Sequence, residues 1–311
     1  MGADWPDEAD ESPDGHADRQ DDQAGGGQAL RPGSAEAETR NRQDYYADLR
    51  VAVSTEESVT ARRTAAEEQN ASDKWSEKVT ESRWMWSEYQ RRWPPEDRPP
   101  IDGSDDDPEV DAQVDAACNR IAELERHKIS PAMRAIEGQD PDRRLVGFED
   151  RVKGRDRIKE KVCAITESLD RTAEQAVFLI PDTLRYTFRY QEARYTQGVW
   201  MDIGRLNDQG FVLQKLRNYW SDDKYNGINS QWIEPDSGQR FEVQFHTSIS
   251  FEAKQLTHLA YERLRTPQSN KPDKFEQMVL EAFEKKVTAD VPVPPGADGI
   301  PDYPERGADA R

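Results

Sequence analysis

The stretch from Ile228 to Thr247 constrains the fold of this chain more than any other. Two short runs, Ile228 to Ile233 and Arg240 to His246, flank the turn residues Pro235-Asp236-Ser237-Gly238, which predicts a β-hairpin. Side chains of a strand alternate between its two faces, so Phe241, Val243 and Phe245 share one side and Arg240, Glu242, Gln244 and His246 the other. One face is core. The other is a row of acid, amide and imidazole groups.

The neighbouring sequence supplies the rest of a sheet and its cover. Ile158, Val162, Ile165 and Leu169 form a helical stripe, and Val199, Ile203 and Leu206 a second, closed by Gly210. Val177 to Ile180 reads as an apolar strand ending at Pro181-Asp182. Leu184, Tyr186, Phe188 and Tyr190 then alternate with Arg185, Thr187 and Arg189, and Phe211 to Trp220 gives another strand pattern. Ser248 or Ser250 can cap a helix running to about Arg265. Helix, strand, helix, strand, hairpin and helix together predict an α+β fold, a mixed β-sheet flanked by helices.

Outside this block the chain is polar. Of its 311 residues only 34% are hydrophobic and 34% are charged, too little apolar material for a fully packed chain of this length. Residues 1–40 are acidic and poor in aliphatics, which predicts disorder. Residues 41–93 form a helical region ending in Trp75, Trp84, Trp86, Tyr89 and Trp93, which either pack on a neighbouring element or dock a protein partner. A proline- and aspartate-rich linker spans 94–108, and 109–145 is helical with Pro131 breaking or kinking it. The main domain spans 146–288, closed by an amphipathic helix over Lys274 to Val287, and the proline-rich 289–311 is expected to be a disordered tail. Cys118 and Cys163 lack metal-ligand spacing and read as small core residues. With no apolar leader in Met1 to Gly15 and no run of about 20 apolar residues, no membrane association is expected. The location implied is cytoplasmic, with export by a route that reads no cleavable signal left open.

A net charge of −19 argues against a polyanionic partner on average. The average conceals its distribution, because Arg151 to Arg265 holds 18 lysines and arginines against 16 aspartates and glutamates. Arg151, Lys153, Arg155, Arg157, Lys159 and Lys161 gather around the start of one helix, a cationic surface suited to phosphates and equally to solvent. Asp182 and Glu242 are carboxylates from separate strands that can share a Mg²⁺ ion, although Asp182 can equally cap a turn after Pro181.

Taken in order, these segments resemble the synthetase domain of the RelA/SpoT family, over roughly 115 of the 311 residues. The family has an Arg-x-Lys segment with a further lysine on a helix, a D-x-x-G-x-R strand, a lysine-bearing strand, a K-x-N-G-Y loop and an E-x-Q-x-R-T strand. Here the matching stretches are Arg151-Val152-Lys153 with Lys161, Asp182 to Thr187, Lys215, Lys224-Tyr225-Asn226-Gly227-Ile228, and Glu242 to Thr247. The helix from Lys254 to Glu262, with His258, resembles the family's closing motif.

The resemblance implies a nucleotidyltransferase-like domain that transfers the pyrophosphate of ATP to a ribose hydroxyl. Arg151, Lys153, Arg157, Lys161 and Arg185 would bind ATP, while Asp182 and Glu242 would be catalytic and hold Mg²⁺, with Glu242 helping to deprotonate the hydroxyl. Lys215, Tyr219, Lys224, Tyr225, Asn226, Gln244 and His246 would face the acceptor: GDP or GTP, ADP or ATP, or the 3′ end of a tRNA as in the family's toxic small members. The departures fall mainly on the acceptor side. The family's glycine is Arg185, its next arginine Thr187, its loop tyrosine Ile228 and its last arginine His246, so Tyr219 or Tyr225 would have to stack on the base instead. A catalytically inactive nucleotide- or RNA-binding module and an assembly protein acting through its N-terminal helices are the competing readings.

Overall fold

The computed structural model describes residues 39–48, 65–94, 108–168, 172–266 and 271–304. The acidic segment 1–38, most of the expected linker and residues 305–311 lie outside the described residues. Five strands form one mixed sheet in the order β1 (Arg143–Val146), β2 (Arg185–Tyr190), β5 (Arg240–Thr247), β4 (Ile228–Ile233) and β3 (Val212–Asn218). β2 and β5 run parallel and the other neighbours antiparallel. The expected hairpin is β4 and β5, paired from Ile228–Phe245 to Ile233–Arg240.

Register separates the two faces. Phe188 opposes Phe245 and Tyr186 opposes Val243, while Trp232 opposes both Phe241 and Leu213, which makes one face apolar. A bulge between Leu213 and Lys215 returns Leu216 to that same face, so β3 keeps an apolar side despite a three-residue spacing. Phe188 and Phe245 are inaccessible to solvent, each burial contributing roughly 1.5–3 kcal/mol. This face is covered by α7 (Tyr195–Asp208), whose Gly198 lies so close to the Tyr190 ring that a Cβ there would sit 2.6 Å from it. The opposite face is lined by α8 (Ser248–Leu264), which contacts β5 and β2.

The remaining helices are α1 over 39–48, α2 (Ala65–Arg92), α3 (Pro108–Leu124), α4 (Ser130–Glu137), α5 (Arg155–Ser168), α6 (Ala173–Leu179) and α9 (Lys274–Thr288). Trp75 Nε1 donates to Glu252 on α8 at 2.8 Å, and the Tyr89 hydroxyl donates to Glu276 on α9 at 2.7 Å. Trp86 packs on Phe283 and Trp93 on Phe275, so the aromatic cluster fastens α2 to α8 and α9, with Trp84 left exposed. Cys118 and Cys163 are free and half-buried, Cys118 lying against the core.

Several expectations are corrected. Val177 to Ile180 is not a strand but the end of α6 and its cap: Ala173, Ala176, Val177 and Ile180 recur at helical spacing, and a reciprocal Thr172–Gln175 capping box starts the helix. Pro131 breaks nothing, because a π-helical turn at Glu125–Ile129 precedes it and leaves proline in the first turn of α4. Thr247, rather than Ser248 or Ser250, caps α8, with Ser250 completing the box. Residues 289–304 are no free tail. Tyr303 pairs with Leu216 on the outer edge of β3, Arg217 donates to the carbonyls of Tyr303 and Pro304, and Asn218 donates to those of Ala297 and Ile300. Hydrogen bonds to the strand edge hold the segment together with Val291, Ala297, Ile300 and Tyr303, which are buried against the core. No helix among the described residues is long and apolar enough to cross a membrane.

Candidate active site

Cross-strand partners put their side chains on the same face, so the register orders the polar side of the sheet into rows. Lys215, Gln231, Glu242 and Arg185 make one row across β3, β4, β5 and β2, and Arg217, Asn229, Gln244 and Thr187 make the next. His246 opposes Arg189 in the row beyond. The alternation read from β5 thus puts Glu242, Gln244 and His246 in line. All three are buried, as is the turn residue Asp182 just ahead of β2.

The end of the face nearest Asp182 is ionic. Lys153 Nζ lies 2.6 Å from Asp182 Oδ2, Lys161 Nζ donates to Oδ1 at 2.9 Å, and an Arg185 Nη donates to Oδ2 at 3.1 Å. Arg185 Nε also donates to Glu242 Oε1 at 2.7 Å, and Gln244 donates to the same oxygen at 2.6 Å. Lys153 arrives on an extended segment whose N–H bonds to the Thr183 carbonyl, and Lys161 arrives from α5. Burial alone would raise the Asp182 carboxyl, but Lys153, Lys161 and Arg185 together outweigh it and hold the group below its ordinary value. Burial lowers both lysines, with Asp182 pulling the other way. Lys254, from α8, donates to the side-chain Oε1 of Gln244. Burial first, then the nearby Arg185 guanidinium, push its ammonium down to about 7 against the pull of Glu242.

The other end is neutral. The Tyr225 hydroxyl donates to Asn229 Oδ1 and meets His246 Nε2, both at 2.7 Å, and His246 Nδ1 meets Ser250 Oγ at 2.9 Å. Both ring nitrogens of His246 are thus engaged by hydroxyls. Burial, with Lys254 adding to it, keeps that imidazole uncharged by lowering its pKa well below 6.5. Gly227 makes the packing possible: at φ 154° it lies against the His246 ring, where a Cβ would sit 2.7 Å from Cε1. Two buried amide atoms here, Asn226 Oδ1 and Asn229 Nδ2, have no hydrogen-bond partner among the described residues.

Of the residues singled out from the sequence, the fold brings Lys153, Lys161, Asp182, Arg185, Glu242 and Gln244 together, and Tyr225, Asn226 and His246 beside them. Tyr219 lies edge-on to Tyr225, ring centroids 5.6 Å apart. Lys215 is half-buried in the Glu242 row, and Lys224 is exposed. Arg151 is directed elsewhere, its Nε donating to Glu125 at 2.6 Å and its guanidinium over the Phe148 ring at 4.2 Å. Arg157 is paired with Glu262 at 2.9 Å. Sequence reasoning misses Lys254 as a site residue; the signal is its place in the helix that directly follows β5.

The two carboxylates do not fit a resident Mg²⁺ in this arrangement. A hard octahedral ion needs several free oxygens, whereas both Asp182 oxygens face cationic nitrogens and Glu242 Oε1 is shared by Arg185 and Gln244. At about 4 Å and an effective dielectric near 20, two unit charges repel by about 4 kcal/mol, and a divalent ion doubles that for each fixed cation. No group of three or more His, Cys, Asp and Glu side chains among the described residues could hold a metal.

No protein-family profile and no curated protein matches this chain. Among solved structures it is similar to the small alarmone synthetase 1 from Bacillus subtilis bound to its product pppGpp, at 19% identity, 59% of this chain, 94% of that one and a TM-score of 0.38. It is similar also to a GTP pyrophosphokinase family protein from Streptococcus pneumoniae, at 19% identity, 58% and 88% coverage and a TM-score of 0.38. Smu.1046c from Streptococcus mutans UA159 gives 19% identity, 54% and 86% coverage and a TM-score of 0.37.

Proposed function

We propose that the sheet domain binds the polyphosphate of ATP at its ionic end and transfers the β,γ-pyrophosphate to a ribose hydroxyl. The observation that carries this reading is the convergence of Lys153, Lys161 and Arg185, with Lys254 beside them, on Asp182 and Glu242 at one end of the polar face. Transfer of this kind asks a protein chiefly for positioning and for positive charge where phosphate oxygens gain charge. In the step proposed, the hydroxyl oxygen bonds to the β-phosphorus as the bond from that phosphorus to the α,β-bridging oxygen breaks. The hydroxyl proton passes to the Glu242 carboxylate and AMP leaves. Lys153 and Lys161 exchange Asp182 for phosphate oxygens, and Gln244 fixes the Glu242 rotamer.

The acceptor would lie toward the neutral end, among Tyr219, Tyr225, Asn226 and Lys215. A guanosine or adenosine nucleotide and the 3′ end of a tRNA are the classes to test, the last being the route to a toxin. The test is incubation with γ-labelled ATP and separate pools of GDP/GTP, ADP/ATP and tRNA, with and without Mg²⁺. Label enters one pool, and Glu242→Gln or Asp182→Asn lowers transfer at least about 100-fold. Undiminished transfer in both variants refutes the assignment. One observation favours a second reading: Arg185 bonds to both carboxylates, as in a module that holds a nucleotide without turnover. That reading expects ATP binding with no label transferred to any pool.

A further inference from the structure

The ionic cluster has an unusual centre. Two carboxylates, one in the turn ahead of β2 and one on β5, are joined through a single guanidinium: Arg185 Nε bonds to Glu242 at 2.7 Å and an Nη of the same fork bonds to Asp182 at 3.1 Å. Its side chain is 11% exposed, those of Asp182 and Glu242 1% and 4%, so the charges meet out of bulk water. Arginine is suited to the place, since its planar fork reaches two acceptors at once and keeps its proton, whereas a lysine is a point charge. The strand fixes it there as well, because Arg185 opposes Glu242 in the β2–β5 register and stands three residues after Asp182. The same position is the one at which the chain departs from the glycine of the motif it resembles.

We propose that the Arg185 guanidinium is a tethered cation standing between Asp182 and Glu242 where a divalent ion would otherwise be shared, so that this domain binds nucleoside polyphosphate without a divalent cation. This rests on the reading of the cluster as a polyphosphate site and deepens it. Lys153, Lys161 and Lys254 are then the groups that meet phosphate oxygens, and Arg185 keeps the two carboxylates from repelling the incoming anion. Charge compensation is built into the chain.

Two measurements on the full chain test this. ATP binding is followed by calorimetry in excess EDTA and in excess Mg²⁺, and the two affinities are expected to agree within about threefold. Loss of more than about tenfold in EDTA overturns the proposal while leaving the polyphosphate site standing. Free Mn²⁺ is titrated by electron paramagnetic resonance without nucleotide. The wild-type protein is expected to bind no Mn²⁺ at the cluster, and Arg185→Gly to gain one site that Glu242→Gln abolishes in the double variant. A wild-type Mn²⁺ site lost in Glu242→Gln, or a folded Arg185→Gly protein that gains none, overturns the proposal. Absence of ATP binding in both buffers would remove the polyphosphate reading, and the cluster would then be judged by Mn²⁺ alone. Should Arg185→Gly fail to fold, the wild-type titrations decide.

Discussion

The two ends of the polar sheet face differ in how their buried groups are satisfied. Around Asp182 and Glu242 the partners are full charges, Lys153, Lys161 and Arg185. Around His246 the partners are hydroxyls and amides, linked through Tyr225, Asn229 and Ser250. A cluster of charges out of bulk water acts strongly on a charged ligand, whereas a neutral network gains rigidity and little pull. One end is arranged to attract and the other to shape.

Breaking the ionic end should have the largest effect. Asp182→Ala leaves buried Lys153 and partly buried Lys161 and Arg185 without their shared carboxylate and is expected to cost about 3–5 kcal/mol in urea unfolding, well above the cost of Asp182→Asn. Gly227→Ala comes next: strain at φ 154° and a contact 2.7 Å from the His246 ring predict about 2 kcal/mol lost, read as a lower melting temperature.

Lys254 sharpens the contrast through pH. Its pKa falls from 10.5 to about 7, so the unfolded chain holds the extra proton between those values and stability from this group rises with pH across that window. ATP affinity should move the opposite way, falling roughly tenfold as pH passes upward through about 7 and the ammonium is lost. Lys254→Arg keeps the charge and should flatten the binding profile, which calorimetry at several pH values will show. The smallest effect belongs to Tyr225→Phe. Loss of one hydroxyl from the neutral network should cost about 1 kcal/mol of stability and leave ATP affinity unchanged.

What the sequence disclosed follows from the range of the forces involved. The β4–β5 hairpin and the facing of Glu242, Gln244 and His246 depend on turn chemistry and period two, both local, and both are present. The conversion of Val177 to Ile180 from strand to the end of α6 turned on a capping box that a short apolar run conceals. Arg151 and Arg157 have the right chemistry and a nearby position, but Glu125 and Glu262, distant in sequence, decide where they point. Arg185 is the instructive case. The resemblance makes it one more phosphate contact, and its bond to both carboxylates depends on β2 lying beside β5.

The segment laid along β3 bears on how the protein can be handled. Tyr45 from α1 packs against Tyr303, ring centroids 5.1 Å apart, so two remote stretches cover one strand margin together. A chain trimmed at residue 289 because of its proline content would expose that margin as a template for strands of neighbouring molecules. Precipitation of such a shortened protein would then report an uncovered backbone, and would say nothing about the ionic cluster on β2 and β5.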